Sequence, residues 1–129
     1  MIKGKRFIGQ DLDGTTAFQE DPYDPDRIGP PIPKMLIRLR RELKKGYVIW
    51  ILTARVSTHV HSPAEIKKRK RMIERYCVKW LGQKLVVTAE KHPQMDEIRD
   101  DRARQVRFNK GTFVTQEIIH AVRSSWGKS

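Results

Sequence analysis

Cysteine is almost missing from this 129-residue chain, where Cys77 stands alone. One thiol excludes an internal disulfide and any cysteine-based zinc site. Acidic residues are scarce beside basic ones, 15 against 27, and the formal net charge is +12. That balance favours polyanions or acidic surfaces as partners, nucleic acid among them. No apolar run approaches the length of a membrane span, which argues against a membrane partner. The N-terminus shows no apolar signal core, so a cytoplasmic location is expected. Aromatics make up 8% of the chain and form no run suited to stacking single-stranded bases. Internal repeats and long low-complexity linkers are missing too. A chain of this length is expected to fold as one domain, 1–129, around a single core.

What is present alternates between strand and helix signals. Residues 6–10 read as a first strand. Residues 16–33 read as an irregular loop, because Pro22, Pro25, Pro30, Pro31 and Pro33 block regular structure. Residues 34–45 read as a helix with Met35, Leu36, Leu39 and Leu43 along its apolar stripe, and Gly46 suits its end. Residues 47–52 form a nearly unbroken apolar run, the pattern of a strand buried on both faces. Residues 63–81 read as a second helix, with Pro63 near its start and Ile66, Ile73, Cys77, Trp80 and Leu81 on its buried side. Strands are expected at 85–88, 96–99 and 105–108, and a terminal helix at 115–126. This alternation predicts an α/β fold with a mainly parallel, Rossmann-like sheet.

Chemistry concentrates at the expected strand ends. Asp11 and Asp13 stand two apart after the first strand, followed by Gly14 and Thr15. Side chains two apart on extended backbone project the same way. Paired carboxylates there suit a hard cation such as Mg²⁺ and a carboxylate nucleophile. A calcium loop of the EF-hand kind needs a Glu at its twelfth position, which here is Pro22. A plain turn is the ordinary alternative. Thr53, Ala54 and Arg55 follow the most apolar strand. A strand-end hydroxyl can bond a phosphoryl oxygen, and an arginine fork can clamp phosphate. The ordinary roles are a helix cap for Thr53 and a solvated charge for Arg55. Lys91 follows the third strand, where it can neutralise phosphate or remain a loop lysine. Asp100 and Asp101 follow the fourth; surface pairing with Arg99, Arg102 or Arg104 is worth only about 0–1 kcal/mol.

Parallel strands bring these four sets to one edge of the sheet. Asp11-Leu12-Asp13-Gly14-Thr15, then Thr53, Lys91 and Asp100-Asp101, resembles the haloacid dehalogenase superfamily of phosphohydrolases in motif order over most of the chain. Ile28 to Pro33, Leu52 to Val56 and Asp100 to Ala103 look like small phage and bacterial members. The phosphatase domain of polynucleotide kinase/phosphatase is similar, sharing the strand-end Thr with Arg two residues on, the Asp-Asp-Arg motif and Pro22-Tyr23-Asp24 of its flap. Three features depart from these patterns. Thr16 stands where an apolar residue is usual. Gln19, Glu20 and Asp21 stand where the flap carries a phosphate-contacting arginine. Arg99 is unusually polar for the strand before the acid pair.

The resemblance implies a three-layer, capless core and an Mg²⁺-dependent phosphomonoesterase. Asp11 is then the nucleophile and Asp13 the acid and base. Thr53 and Lys91 stabilise the phosphoryl group, and Gly14, Thr15, Ala54 and Arg55 contact substrate. Asp11, the Asp13 carbonyl and Asp100 hold Mg²⁺, with Asp101 behind them. An open site suits a nucleotide or a nucleic-acid terminus, or calls for an oligomer to cover it. A small-metabolite phosphatase is one alternative; a non-catalytic, basic nucleic-acid-binding module on the same scaffold is another. The basic run Lys67 to Arg71 is either a solvated face or a phosphate-backbone contact. His59, His61 and His92 fit loop or substrate-contact roles better than metal ligation.

Overall fold

The structure is a computed structural model whose described residues are 5–114. Its elements run β1 (Phe7–Asp11), α1 (Pro33–Lys44), β2 (Val48–Leu52), a short 3₁₀ turn (Ala54–Val56), α2 (Pro63–Leu81), β3 (Val87–Thr88) and β4 (Glu97–Arg99). The sheet has the order β3-β2-β1-β4 and every pairing is parallel. β1 lies centrally, with Asp11 opposite Leu52 and Gln10 opposite Arg99. Among the described residues no helix is long and apolar enough to cross a membrane.

The two helices end where their sequences dictate. Pro33, expected in the loop, instead opens α1, because its fixed φ and missing N–H cost nothing at a first helical position. α2 starts on a reciprocal cap: Ser62 Oγ accepts from the Glu65 N–H while the Glu65 carboxylate accepts from the Ser62 N–H. It ends at Gly82, whose N–H donates to the Val78 carbonyl.

Alternation along the strands divides the core. Ile8, Ile49 and Ile51 face the helices and pack with Leu39 of α1 and Ile73 and Cys77 of α2. Each fully buried aliphatic side chain of this kind contributes about 1.5–3 kcal/mol. The opposite face carries Phe7, whose ring meets Trp50 edge-on at 4.9 Å, and His92 packs tilted against Phe7 and edge-on against Trp50. Gly9 lies on this face, where a Cβ would stand 2.6 Å from Leu52 Cδ1 and 2.7 Å from Met95 Sδ. The β3–β4 connection thus lies directly on the strand.

Two expectations change. Residues 105–108 are not a sheet strand. They form one arm of a hairpin in which Val106 pairs antiparallel with Phe113. Asn109 and Gly111 take positive φ, 57° and 72°, and turn the chain back before a strand can extend. The loop at 16–33 is also more ordered than its prolines suggest. Phe18 N–H donates to the Pro30 carbonyl and Ile32 N–H to Thr16, making a strap. The helix expected over 115–126 lies outside the described residues.

Candidate active site

β1, β2 and β4 all run parallel, so their C-terminal ends share one edge. A cleft of about 650 Å³ opens there, lined by Asp11, Asp13, Thr53, Lys91, Asp100 and Asp101 among others. All four sequence-separated motifs therefore reach one space. Ala54 and Arg55 line it too, whereas Gly14 and Thr15 line an adjoining cleft that shares Asp100 and Asp101.

The acids divide into two environments. Oxygens of Asp11, Asp100 and Asp101 lie within 4.8 Å of one another. Thr15 ties this group together: its hydroxyl lies 3.2 Å from Asp11 Oδ2 and 3.3 Å from Asp101 Oδ1, and accepts the Asp101 N–H at 3.1 Å. Gly14 makes room for it. Its φ is +81°, and a Cβ there would stand 2.8 Å from Asp101 Oδ2. Burial, a hydrogen bond with Asp101 and the charge of Asp100 push the Asp11 carboxyl up to about 7, against the lowering effect of Thr15 and the Leu12 amide. Three carboxylates at this spacing offer the hard oxygen donors that Mg²⁺ takes, and a cation there would relieve their repulsion. Asp101, expected behind Asp11 and Asp100, stands level with them. Among the described residues neither Asp100 nor Asp101 takes up the alternative surface pairing with arginine: Arg99 turns to Glu42 and Glu97, and Asp100 accepts the Arg102 N–H.

Asp13 is held apart from this cluster. Arg55 Nε and Nη2 donate to its two oxygens at 2.9 and 2.7 Å. Arg55, expected to be either a forked phosphate clamp or a solvated charge, is not solvated. Its side chain is 2% exposed, its Nη1 donates to the Pro25 carbonyl, and its guanidinium lies 5.0 Å from the Tyr23 ring centroid. Burial opposes its charge, but the Asp13 hydrogen bond prevails and raises its pKa. Thr53 plays the ordinary part as well as lining the cleft: its hydroxyl accepts the Arg55 N–H and caps the 3₁₀ turn. Lys91 is exposed at the rim, and no ion pair among the described residues holds its ammonium.

Hydropathy alone did not locate the buried polar chain behind the cleft. Arg99 donates to both Glu42 oxygens at 2.7 and 2.6 Å, and its Nη1 lies 3.5 Å from Gln10 Oε1. Gln10 Nε2 donates to Thr16 Oγ1 at 3.0 Å, and Thr16 donates to the Asp11 carbonyl at 2.6 Å. The two unusual positions, Thr16 and Arg99, are thus ends of one network beneath the nucleophile candidate. A signal was present: Gln10 interrupts the apolar face of Ile8 and Leu12 at a spacing of two. Gln19 and Tyr23 of the flap segment also line the cleft, and so does Ser57, which no local sequence pattern marks.

The basic run on α2 is also corrected in part. Lys67, Lys68, Lys70 and Arg71 are exposed, but Arg69 is buried. It donates to Asp26 of the strap at 3.2 Å and contacts His61 Nδ1 at 2.8 Å. His92 belongs to the aromatic cluster behind the sheet, and neither it nor His61 lines the cleft.

No family model matches the chain. None of the curated proteins matches it either. A solved structure of a conserved protein coded by a locus of Bacteroides thetaiotaomicron aligns with a TM-score of 0.51 at 17% identity. The match covers 98% of this chain and 94% of that one. At such identity the likeness is one of fold: a parallel α/β sheet.

Proposed function

We propose that this protein is an Mg²⁺-dependent phosphomonoesterase of the haloacid dehalogenase type, working through an aspartyl-phosphate on Asp11. The observation that carries this reading is the convergence of Asp11, Asp13, Thr53, Lys91, Asp100 and Asp101 on one cleft. A carboxylate nucleophile, a second carboxylate, a hydroxyl, a free ammonium and a cation-sized acid cluster are the parts that phosphoryl transfer requires.

Asp13 enters the cycle by taking a proton from solvent on the oxygen it withdraws from Arg55. In the first step an Asp11 oxygen attacks phosphorus and the bond to the leaving oxygen breaks, while Asp13 donates that proton to the leaving oxygen. In the second step Asp13 takes a proton from water. The resulting hydroxide attacks phosphorus, the Asp11–phosphorus bond breaks, and inorganic phosphate leaves. The Thr53 hydroxyl and Lys91 ammonium stabilise the equatorial oxygens. Asp11, Asp100 and Asp101 would hold Mg²⁺, which supplies positive charge against the phosphoryl oxygens. The Asp13–Arg55 pair is the resting arrangement in this scheme. One Asp13 oxygen leaves the guanidinium to handle the proton, and the released Arg55 N–H turns to a phosphate oxygen. Thr15, through its bonds to Asp11 and Asp101, sets the spacing of nucleophile and cation site.

The substrate class that fits is a phosphate monoester on a nucleotide or a nucleic-acid end, given an open cleft on a strongly basic protein. The three-layer, capless core of that superfamily and a cytoplasmic setting belong to the same reading. Mononucleotides, 3′- and 5′-phosphorylated oligonucleotides and sugar phosphates, each assayed with Mg²⁺ or EDTA, test it. Phosphate release that requires Mg²⁺ and vanishes in Asp11→Asn is expected. Retained turnover in that variant would sink the mechanism.

A further inference from the structure

The segment directly after the acid pair has a character of its own. Residues 102–114 contain Arg102, Arg104, Arg107 and Lys110 and no acidic residue. They leave the cleft, since Arg102 lines it, and fold into the hairpin that pairs Val106 with Phe113. Arg107 N–H donates to the Thr112 carbonyl at 2.8 Å and Val114 N–H to Gln105 at 3.0 Å, so the two arms are zipped. The guanidinium of Arg104 covers the Phe113 ring at 4.4 Å. Phe108 heads the turn and is 89% exposed, the most exposed of the large hydrophobic residues described. Single exposed apolar side chains are ordinary, but this ring stands at a hairpin tip whose flanking residues include cations and no acid.

We infer that this hairpin is a binding arm for single-stranded nucleic acid, with Phe108 stacking on an unpaired base and Arg104 and Lys110 contacting neighbouring phosphates. Charge decides the partner: a run with four cations and no acid complements a polyanion, not a basic or apolar protein surface. The exposed ring favours a single strand, because an unpaired base offers its face without the unstacking cost that wedging a ring into a duplex carries. Arg38, Arg40 and Arg41 of α1 form another basic group that fits less well, since Arg40 donates to the Trp80 carbonyl. Arg38 already pairs with Glu42 at 3.5 Å. The arm does not depend on the phosphatase reading, since binding there requires no turnover.

The test is fluorescence anisotropy of the full chain with a labelled unphosphorylated oligothymidine, titrated across salt concentrations. Binding is expected to weaken steeply with salt, as phosphate contacts require. Phe108→Ala should weaken it by about tenfold, the loss of one stacked base. Lys110→Ala should reduce the salt slope by roughly 0.7, the loss of one single-strand phosphate contact. Both positions are exposed, so unchanged circular dichroism and melting are expected. Asp11→Asn should bind as the wild type does, and Phe108→Ala should hydrolyse a small phosphate monoester as the wild type does. Failure of the arm is thereby separable from failure of the active-site proposal. Affinity unchanged in both arm variants would overturn the assignment. So would transfer of the salt dependence to Lys67→Ala and Lys70→Ala, tighter binding to a blunt duplex, or Phe108-dependent binding to anionic vesicles in place of the oligonucleotide.

Discussion

Asp11 and Asp13 are the same residue type, two positions apart, and line the same cleft, yet they live at opposite electrical poles. Asp11 faces Asp100 and Asp101, and no cation pairs with it among the described residues. Asp13 faces a buried guanidinium that takes both its oxygens. Spacing made them look like twins. Their neighbours, brought from 42 residues away in one case and about 90 in the other, give them different work.

Breaking each pole separately should give opposite signatures. Asp11→Asn is expected to lower phosphatase turnover by at least about a thousandfold, some 4 kcal/mol of barrier, while leaving the cation-free fold as stable or more so. The comparison is made by steady-state kinetics and denaturant melts on one preparation. Asp13→Ala should do structural damage instead. It strands a guanidinium whose side chain is 2% exposed, and loss of one partner of such a pair costs about 3–5 kcal/mol. If the two variants melted alike, the division into poles would be wrong.

Cation removal sharpens the same contrast. Mg²⁺ at a hundred times its dissociation constant should stabilise the fold by about 2.7 kcal/mol, read as a rise in Tm. That rise should disappear in Asp100→Asn and survive Lys91→Ala. Gly14→Ala should cost about 1–2 kcal/mol, since it demands positive φ from a residue with a side chain and crowds Asp101. Suppression of that cost by Asp101→Ala would locate the clash.

The smallest effect lies behind the cleft. The hydrogen bonds from Arg99 hold the Glu42 carboxyl below its usual range. The unfolded chain therefore takes up a proton first as pH falls. Stability from this pair is full above about pH 4.5, the ordinary value for a glutamate, and is lost as pH drops through the depressed folded one. Glu42→Gln should flatten that acid limb and lower stability at neutral pH, as followed by urea melts across pH.

Much of the scaffold was legible because its signals are local. The apolar run at 47–52 gave a parallel strand, though its second face is only half-covered and Val48 is exposed, and α2 carries its start and stop in its own residues. The strand ends were legible for the same reason, and they placed Asp11, Thr53, Lys91 and Asp100 together. What failed was the partnership of charges. Glu42 and Arg99 are both mostly buried, against the ordinary habit of their types, because each neutralises the other across 57 residues of chain. Arg69 hides for the same reason. Hydropathy scores each residue singly and has no access to such pairs. The strand expected at 105–108 failed differently: only Val106 makes a β bridge, to Phe113, and the positive φ at Asn109 and Gly111 turns the segment back on itself and away from the sheet.

The strap over the cleft carries a mechanical consequence. Arg55 touches Asp13, the Pro25 carbonyl and the Tyr23 ring at once. One guanidinium is therefore both the counter-charge of an acid and the anchor of a strap. The two cannot be adjusted independently: anything that draws Arg55 off Asp13 also tugs at Pro25, and anything that lifts the strap unbalances the acid. Amide exchange in the strap, at Arg27 whose N–H closes onto Asp24, would then report on the protonation and pairing of a carboxylate it never touches.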